Sequence, residues 1–308
     1  MSSKIYVLGS INVDLMISAN RMPQQGETIA GYDYFEAIGG KGGNQAAACA
    51  NLGVSTFLIG SVGRDYHGQL ALNALNNFGV NTNHVLLSDD EHTGVAMILK
   101  TDHDNRIIIN QGANANISVP RIHESLQGSN QDFFLTQFEV PLYAVYEGLK
   151  QAKTLGMTTV VNPAPAVVMN EDFYPLIDYL VVNQSESEIL TEIFPHDLED
   201  CKRAATTLFE RGVKTVVFTL GGSGSICISK DHVDIIPSYA VEVVDTTGAG
   251  DAYIGTFLYG LSKQWNLQKA LTYASAAGAL ACTKQGAQEA LPTLETLTDF
   301  MNQGGNHE

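Results

Sequence analysis

Two acids, Asp245 and Asp251, bracket a run of small residues, "DTTGAGD", and an apolar-periodic segment follows at once. Ile254, Leu258 and Leu261 recur at helical spacing, so a helix is expected to begin between Gly248 and Asp251. The first amides of a helix have no intrahelical acceptor and lie at the positive end of its dipole, where an anion is favoured. Gly248, Ala249 and Gly250 leave a phosphoryl group room to reach those amides. Beside such an anion, the Asp251 carboxylate is placed to accept the proton of an attacking hydroxyl. The ordinary alternative is an N-capping aspartate, worth about 1 kcal/mol.

Other polar residues cluster where strands end. Asn12 and Asp14 follow the apolar run "KIYVL", Lys41 and Asn44 sit in "GGKGGN" before an Ala-rich stretch, and Glu139 ends "FFLTQF" ahead of Pro141. Such donors and acceptors suit a polyhydroxylated sugar, although each alone also reads as a loop residue or cap. Asn183 and Glu186 stand three apart at a helix start, as a water-mediated Mg²⁺ site or as a capping pair. "TLGGSG", Thr219 to Gly224, is a strand end running into a loop open to phosphates. The strict P-loop, dinucleotide, HExxH and GxSxG patterns are all missing from the sequence.

These residues need a scaffold, and the chain supplies an alternation of elements. Strands are expected at "KIYVL", "STFLIGSVG", "DFFLTQF", "TTVVNPAP", "DYLVVN" and "KTVVFTLGG". Helices are expected at "QAAACANLG", "YHGQLALNALNNFG", "VPRIHESLQ", "LYAVYEGLKQAKTLG" and from Ser185 through "LEDCKRAATTLFERG". Strands apolar on both faces mark a doubly wound, mostly parallel α/β sheet flanked by helices. Residues 13–36 and 92–116 are β-rich without that alternation, the second a hairpin with a polar turn at Asp102 to Asn105. Paired, they make a small sheet, a lid or an edge decoration, over a large domain of residues 1–12, 37–91 and 117–308.

The 308 residues carry a formal charge of −16, which opposes a general nucleic-acid or anionic-membrane binder. No apolar run approaches the roughly 18 residues of a membrane span. Asn12 and Asp14 break the opening apolar stretch, so it does not read as a signal peptide. Cys49, Cys201, Cys227 and Cys282 lack CxxC spacing and read as reduced, mostly buried thiols of a cytosolic protein.

"GSINVD", "GGKGGNQA", "NPAP", "NQSE" and "DTTGAGD", in this order, together with the late "TKQGAQEALP", resemble the ribokinase family of carbohydrate kinases (the phosphofructokinase-B superfamily). The likeness spans essentially the whole chain and implies ATP-dependent phosphorylation of D-ribose at its 5-hydroxyl. Carried over by position, Asp251 is the general base and Gly248, Ala249 and Gly250 form the anion hole. Asn12, Asp14, Gly40, Lys41, Asn44 and Glu139 hold the sugar. Asn183, Thr219, Gly221, Gly222, Ser223, Gly224, Gly250 and Ser275 line the ATP site, and Asn183 with Glu186 serves Mg²⁺. An activating monovalent cation, K⁺, is implied at Asp245 and the carbonyls of Thr247, Ala281, Lys284, Gly286 and Ala290. Position 290 is Ala where the family frequently has Ser, and Ser275 replaces a bulkier polar residue. The family also pairs two lids into a homodimer. Kinases for deoxyribose, another sugar or a nucleoside are the neighbouring readings, and a non-catalytic sugar-binding regulator is the reading from another class.

Overall fold

Side chains alternate across a strand, and the first strand uses both faces: Ile5 and Val7 enter one apolar core, Tyr6 and Leu8 another. The computed structural model describes residues 3–101 and 105–302. The chain begins β1 (Lys4–Leu8), β2 (Asn12–Ser18), β3 (Tyr32–Gly39), α1 (Lys41–Asn51), β4 (Ser55–Gly63) and α2 (Tyr66–Asn77). It continues with β5 (Val85–Ser88), β6 (Gly94–Lys100), β7 (Asn105–Asn110), α3 (Val119–Ser125), β8 (Phe133–Gln137), α4 (Leu142–Thr154) and β9 (Thr158–Asn162). Next come β10 (Tyr179–Asn183), α5 (Gln184–Thr191), α6 (Leu198–Arg211), β11 (Thr215–Thr219), β12 (Ser225–Ser229) and β13 (Val233–Ile236). Three helices follow, α7 (Ala249–Ser262), α8 (Leu267–Ala281) and α9 (Leu294–Asn302).

Among the described residues, nine strands form one sheet in the order β13-β12-β11-β10-β9-β8-β1-β4-β5. Neighbours run parallel except at β12, which is antiparallel to both β11 and β13. From β1 the chain winds out to β4 and β5, and from β8 it winds the other way to β11. The order therefore reverses between β1 and β8, and a crevice opens beyond their carboxyl ends. Helices α1, α7 and α8 cover one face, and α4 and α6 cover the other. The doubly wound, mostly parallel architecture is the one expected. No described helix is long and apolar enough to cross a membrane.

The β-rich pieces do pair, into a second sheet of order β3-β2-β6-β7. It is mixed, because β2 runs parallel to β6 while its other pairings are antiparallel. The polar turn expected between β6 and β7 falls on residues 102–104, outside the described residues.

One boundary departs from expectation. Helix α1 starts at Lys41, four residues before the "QAAACANLG" stretch, so three residues poor in helix propensity or usually found in loops lie within it. Packing overrides propensity there. Across from it, α1 and α7 approach closely: a Cβ on Gly255 would lie 2.4 Å from the Ala48 Cβ and 3.0 Å from the Ala48 carbonyl carbon. Gly255→Ala is therefore expected to destabilise the fold by about 1–3 kcal/mol through overpacking. Urea denaturation checks this, and an unchanged midpoint would mean that the two helices separate without cost.

Candidate active site

Gly248, at φ 76°, is the N-cap of α7, and the helix proper starts at Ala249. Asp251 is thus in the first turn but is not the cap, which removes the ordinary reading of this residue. Its side chain turns inward and the residue is only 6% exposed. Asn44 Nδ2 donates to its Oδ2 at 3.0 Å, and Gln45 Nε2 to its Oδ1 at 2.9 Å. Burial raises the Asp251 pKa, against the pull of Lys41 and these two amides.

The helix that supplies those amides is anchored at its own start. Gly40, at φ 84°, adopts a left-handed conformation just before Lys41. Glu139 Oε2 accepts from the Lys41 backbone N–H at 2.9 Å and from Ser10 Oγ at 2.5 Å, tying α1 to the ends of β1 and β8. Burial works against charge on the Lys41 amine, but the carboxylates of Asp251, Glu139 and Glu186 outweigh it and hold its pKa above the ordinary value.

On β2, the strand period of two puts Asn12 and Asp14 on one face. Asn12 Oδ1 accepts from Asn114 Nδ2 at 2.8 Å, and Asn114 also bonds the Ile11 amide and carbonyl. Burial and the charges of Glu139, Glu289 and Asp251 push the Asp14 pKa up to about 7.

All six residues expected to hold a sugar, Asn12, Asp14, Gly40, Lys41, Asn44 and Glu139, line one cavity of about 480 Å³. Gly248, Gly250, Asp251, Asn183, Glu186, Thr219, Asp245, Thr247 and Gly286 share it. The second sheet gives it an apolar wall that includes Phe35, Ala96, Ile98, Ile107 and Ile109. Ala249 and the loop Gly221, Gly222, Ser223 and Gly224 lie outside the lining, as do Ser275, Ala281, Lys284 and Ala290. Ser275 is buried, its Oγ donating to the Pro237 carbonyl at 3.0 Å, and Ala281 and Ala290 are buried too.

Asn183 and Glu186 form a full capping box on α5, with Asn183 Oδ1 accepting from the Glu186 N–H at 2.8 Å and the Asn183 N–H donating to Glu186 Oε2 at 2.9 Å. Asp245 holds its loop together: Oδ1 accepts from the Thr247 N–H and Oγ1, and Oδ2 from the Gly286 N–H at 3.1 Å. Burial alone would raise its pKa; these donors keep it below the ordinary value.

Several participants escaped sequence reasoning. Ser10, Gln45, Asn114, Gln137, Asn162 and Gln288 are buried polar residues within the hydrogen-bond web around Asn12, Asn44, Glu139 and Asp251. Their available signal was polar side chains at the ends of otherwise apolar strands, as in "FFLTQ" and "TTVVN".

The model of the pfkB family carbohydrate kinases matches residues 2–294. A ribokinase of Haemophilus influenzae is 36% identical over 303 residues, covering 98% of this chain and 99% of that protein. A deoxyribokinase of Salmonella typhi is 31% identical over 301 residues, covering 97% and 98%. The structure of Arabidopsis thaliana ribokinase complexed with ribose and ATP superposes with a TM-score of 0.89 at 29% identity, covering 98% of this chain and 99% of that one.

Asp14 carries a stability consequence. Its pKa of about 7 in the fold exceeds the value near 4 of an unfolded chain, so between those values the native state alone keeps the proton. The stabilisation is full below about pH 4 and is lost as pH rises through about 7. Asp14→Asn should therefore gain about 1–2 kcal/mol over the parent at pH 8 relative to pH 4, after solvent screening is allowed for. Denaturation midpoints of both ligand-free proteins at the two pH values test it; the same difference at each would refute the shift.

Proposed function

The chain belongs to the pfkB family of carbohydrate kinases, and we propose that it transfers the terminal phosphoryl group of ATP to the 5-hydroxyl of D-ribose, giving ribose 5-phosphate and ADP. The observation that carries this reading is Asp251: an inward-facing carboxylate at the first turn of α7, in one cavity with all six residues expected to hold the sugar.

In this reading Asn12, Asp14, Gly40, Lys41, Asn44 and Glu139 hold the sugar with its 5-hydroxyl toward Asp251. Asp251 accepts the hydroxyl proton as the oxygen attacks phosphorus. The amides of Gly248, Ala249 and Gly250 bind the transferred group, aided by the dipole of α7. Asn183, Thr219, the loop Gly221 to Gly224 and Ser275 would hold ATP. Glu186 Oε1 lies outside the capping box, which leaves it for the waters of Mg²⁺, an ion that neutralises charge on the phosphates. The ionised Asp245, with the carbonyls of Thr247, Ala281, Lys284, Gly286 and Ala290, suits K⁺ beside the anion hole.

The second sheet acts as a lid and a dimer surface in the same reading. Its face away from the cavity exposes Ile17, Tyr34, Met97 and Ile108, the last 72% exposed, and a second copy would bury them. The acidic balance fits small-molecule partners in the cytoplasm, without nucleic acid or membrane.

Two measurements test the function. Release of ADP should be fastest with ribose among ribose, 2-deoxyribose, fructose and adenosine, and faster in K⁺ than in a large organic cation at fixed ionic strength. Loss of the 2-hydroxyl should lower kcat/KM roughly ten- to a hundredfold. Equal values for the two pentoses would move the assignment to a broader pentose kinase, and no release with any acceptor would favour a binding regulator. Asp251→Asn should bind ribose yet lose about 10²–10⁴-fold in turnover; near-parental kcat would exclude Asp251 as the base.

A further inference from the structure

Two neighbouring side chains of α1 grip the Asp251 carboxylate, and they stand differently to the cavity. Asn44 lines it; Gln45 is fully buried behind the carboxylate and does not. The Gln45 amide is nonetheless used in full. Its Oε1 accepts from Gln137 Nε2 at 2.6 Å, and its Nε2 donates to Asp251 Oδ1 at 2.9 Å and to Asn162 Oδ1 at 3.1 Å. Asn162 is itself oriented, because its Nδ2 donates to the Val181 carbonyl at 3.1 Å. A flipped Gln45 would set oxygen against the Asp251 and Asn162 oxygens and nitrogen against the Gln137 nitrogen. Only one orientation satisfies every partner.

We propose that Gln45 is a positioning residue for phosphoryl transfer: the buried amide relay Gln137–Gln45–Asn162, of which only Asn162 lines the cavity, fixes the Asp251 carboxylate in one rotamer as a proton acceptor. The proposal rests on the reading of Asp251 as the base. Charged groups face Asp251 from every side. Lys41 on α1 favours its ionised form, whereas Glu139 after β8, Asp14 on β2 and Glu186 on α5 repel it. Burial also disfavours the ion, so the amide donors of Asn44 and Gln45 offset part of that cost. Strands β8 and β9 supply the ends of the relay, which makes the first helix a link between the central sheet and the start of α7.

The test is the pH dependence of kcat with ribose in the parent, Gln45→Met and Gln45→Glu. Gln45→Met keeps the volume and deletes the donor. Gln45→Glu keeps the shape and the acceptor for Gln137 but adds a competing carboxyl group, and it carries the test should Gln45→Met fold poorly. The acid limb of the profile should move up by about one to two pH units in either variant, the equivalent of one charge-assisted hydrogen bond. KM for ribose should change little, and turnover should recover at high pH. An acid limb at the parental position, or a loss of kcat that is the same at every pH, overturns the proposal. Asp251→Asn measured alongside separates the two layers. If it retains turnover, the base assignment itself fails; if it loses turnover while the Gln45 profiles stay put, only the relay fails.

Discussion

The first turn of α1 and the turn after β1 approach each other closely, backbone to backbone. A Cβ on Gly42 would lie 2.5 Å from both the Gly9 carbonyl carbon and the Ser10 nitrogen, so only glycine lets the helix come so near. The Gly43 N–H then donates to the Ser10 carbonyl at 2.8 Å, locking the contact. Everything that α1 brings to the cavity follows from this placement. The Lys41 backbone reaches Glu139, and Asn44 and Gln45 reach Asp251. A helix displaced by the width of a methyl group would carry all of these contacts with it, and such misplacement is costly where reacting groups must align.

How far this was legible in the sequence differs by feature. Two-faced apolar strands such as "TVVFTL" announced a covered parallel sheet, and that sheet is present. The second sheet was legible too, because its pieces broke the helix–strand alternation. The true start of α1 was not, since Gly42 and Gly43 argue against a helix locally and are helical only because another backbone presses on them. The four-residue strands β5 and β13 were missed for want of length, as sheet edges commonly have little of it, whereas β12 was missed although it is as long as β1. Gln45 shows the deeper limit. Its importance lies in Gln137, Asn162 and Asp251, up to 206 positions away, and one sequence does not say which buried amides meet.

Charge in the site is organised around a shortage of cations. Lys41 is shared among Asp251, Glu139 and Glu186, so no one carboxylate has it to itself. Amides and hydroxyls make up much of the difference: Asn44 and Gln45 for Asp251, Ser10 and the Lys41 N–H for Glu139, the Asn183 N–H for Glu186. Neutral donors stabilise an anion without cancelling its charge, so the carboxylates remain strong acceptors for hydroxyls. Asp14 has no comparable donor among the described residues, and its pKa climbs to about 7.

Strand β1 is the first of the described strands to be made yet lies inside the sheet, two strands from its β5 edge, and Ile5 and Val7 share their core with Ala252, Phe257, Leu271 and Ala277 of the late helices α7 and α8. On the ribosome, every strand through β13 is therefore synthesised before α7 and α8, which complete the cover that α1 begins on this face. A nascent or prematurely ended chain presents an apolar sheet surface, the kind of exposure that draws chaperones or aggregation. The same late segment carries Asp251, so the last layer to shield the core is also the one that completes the chemistry. Abortive products of translation should thus be both sticky and inert, and quality control can remove them without any active fragment being left behind.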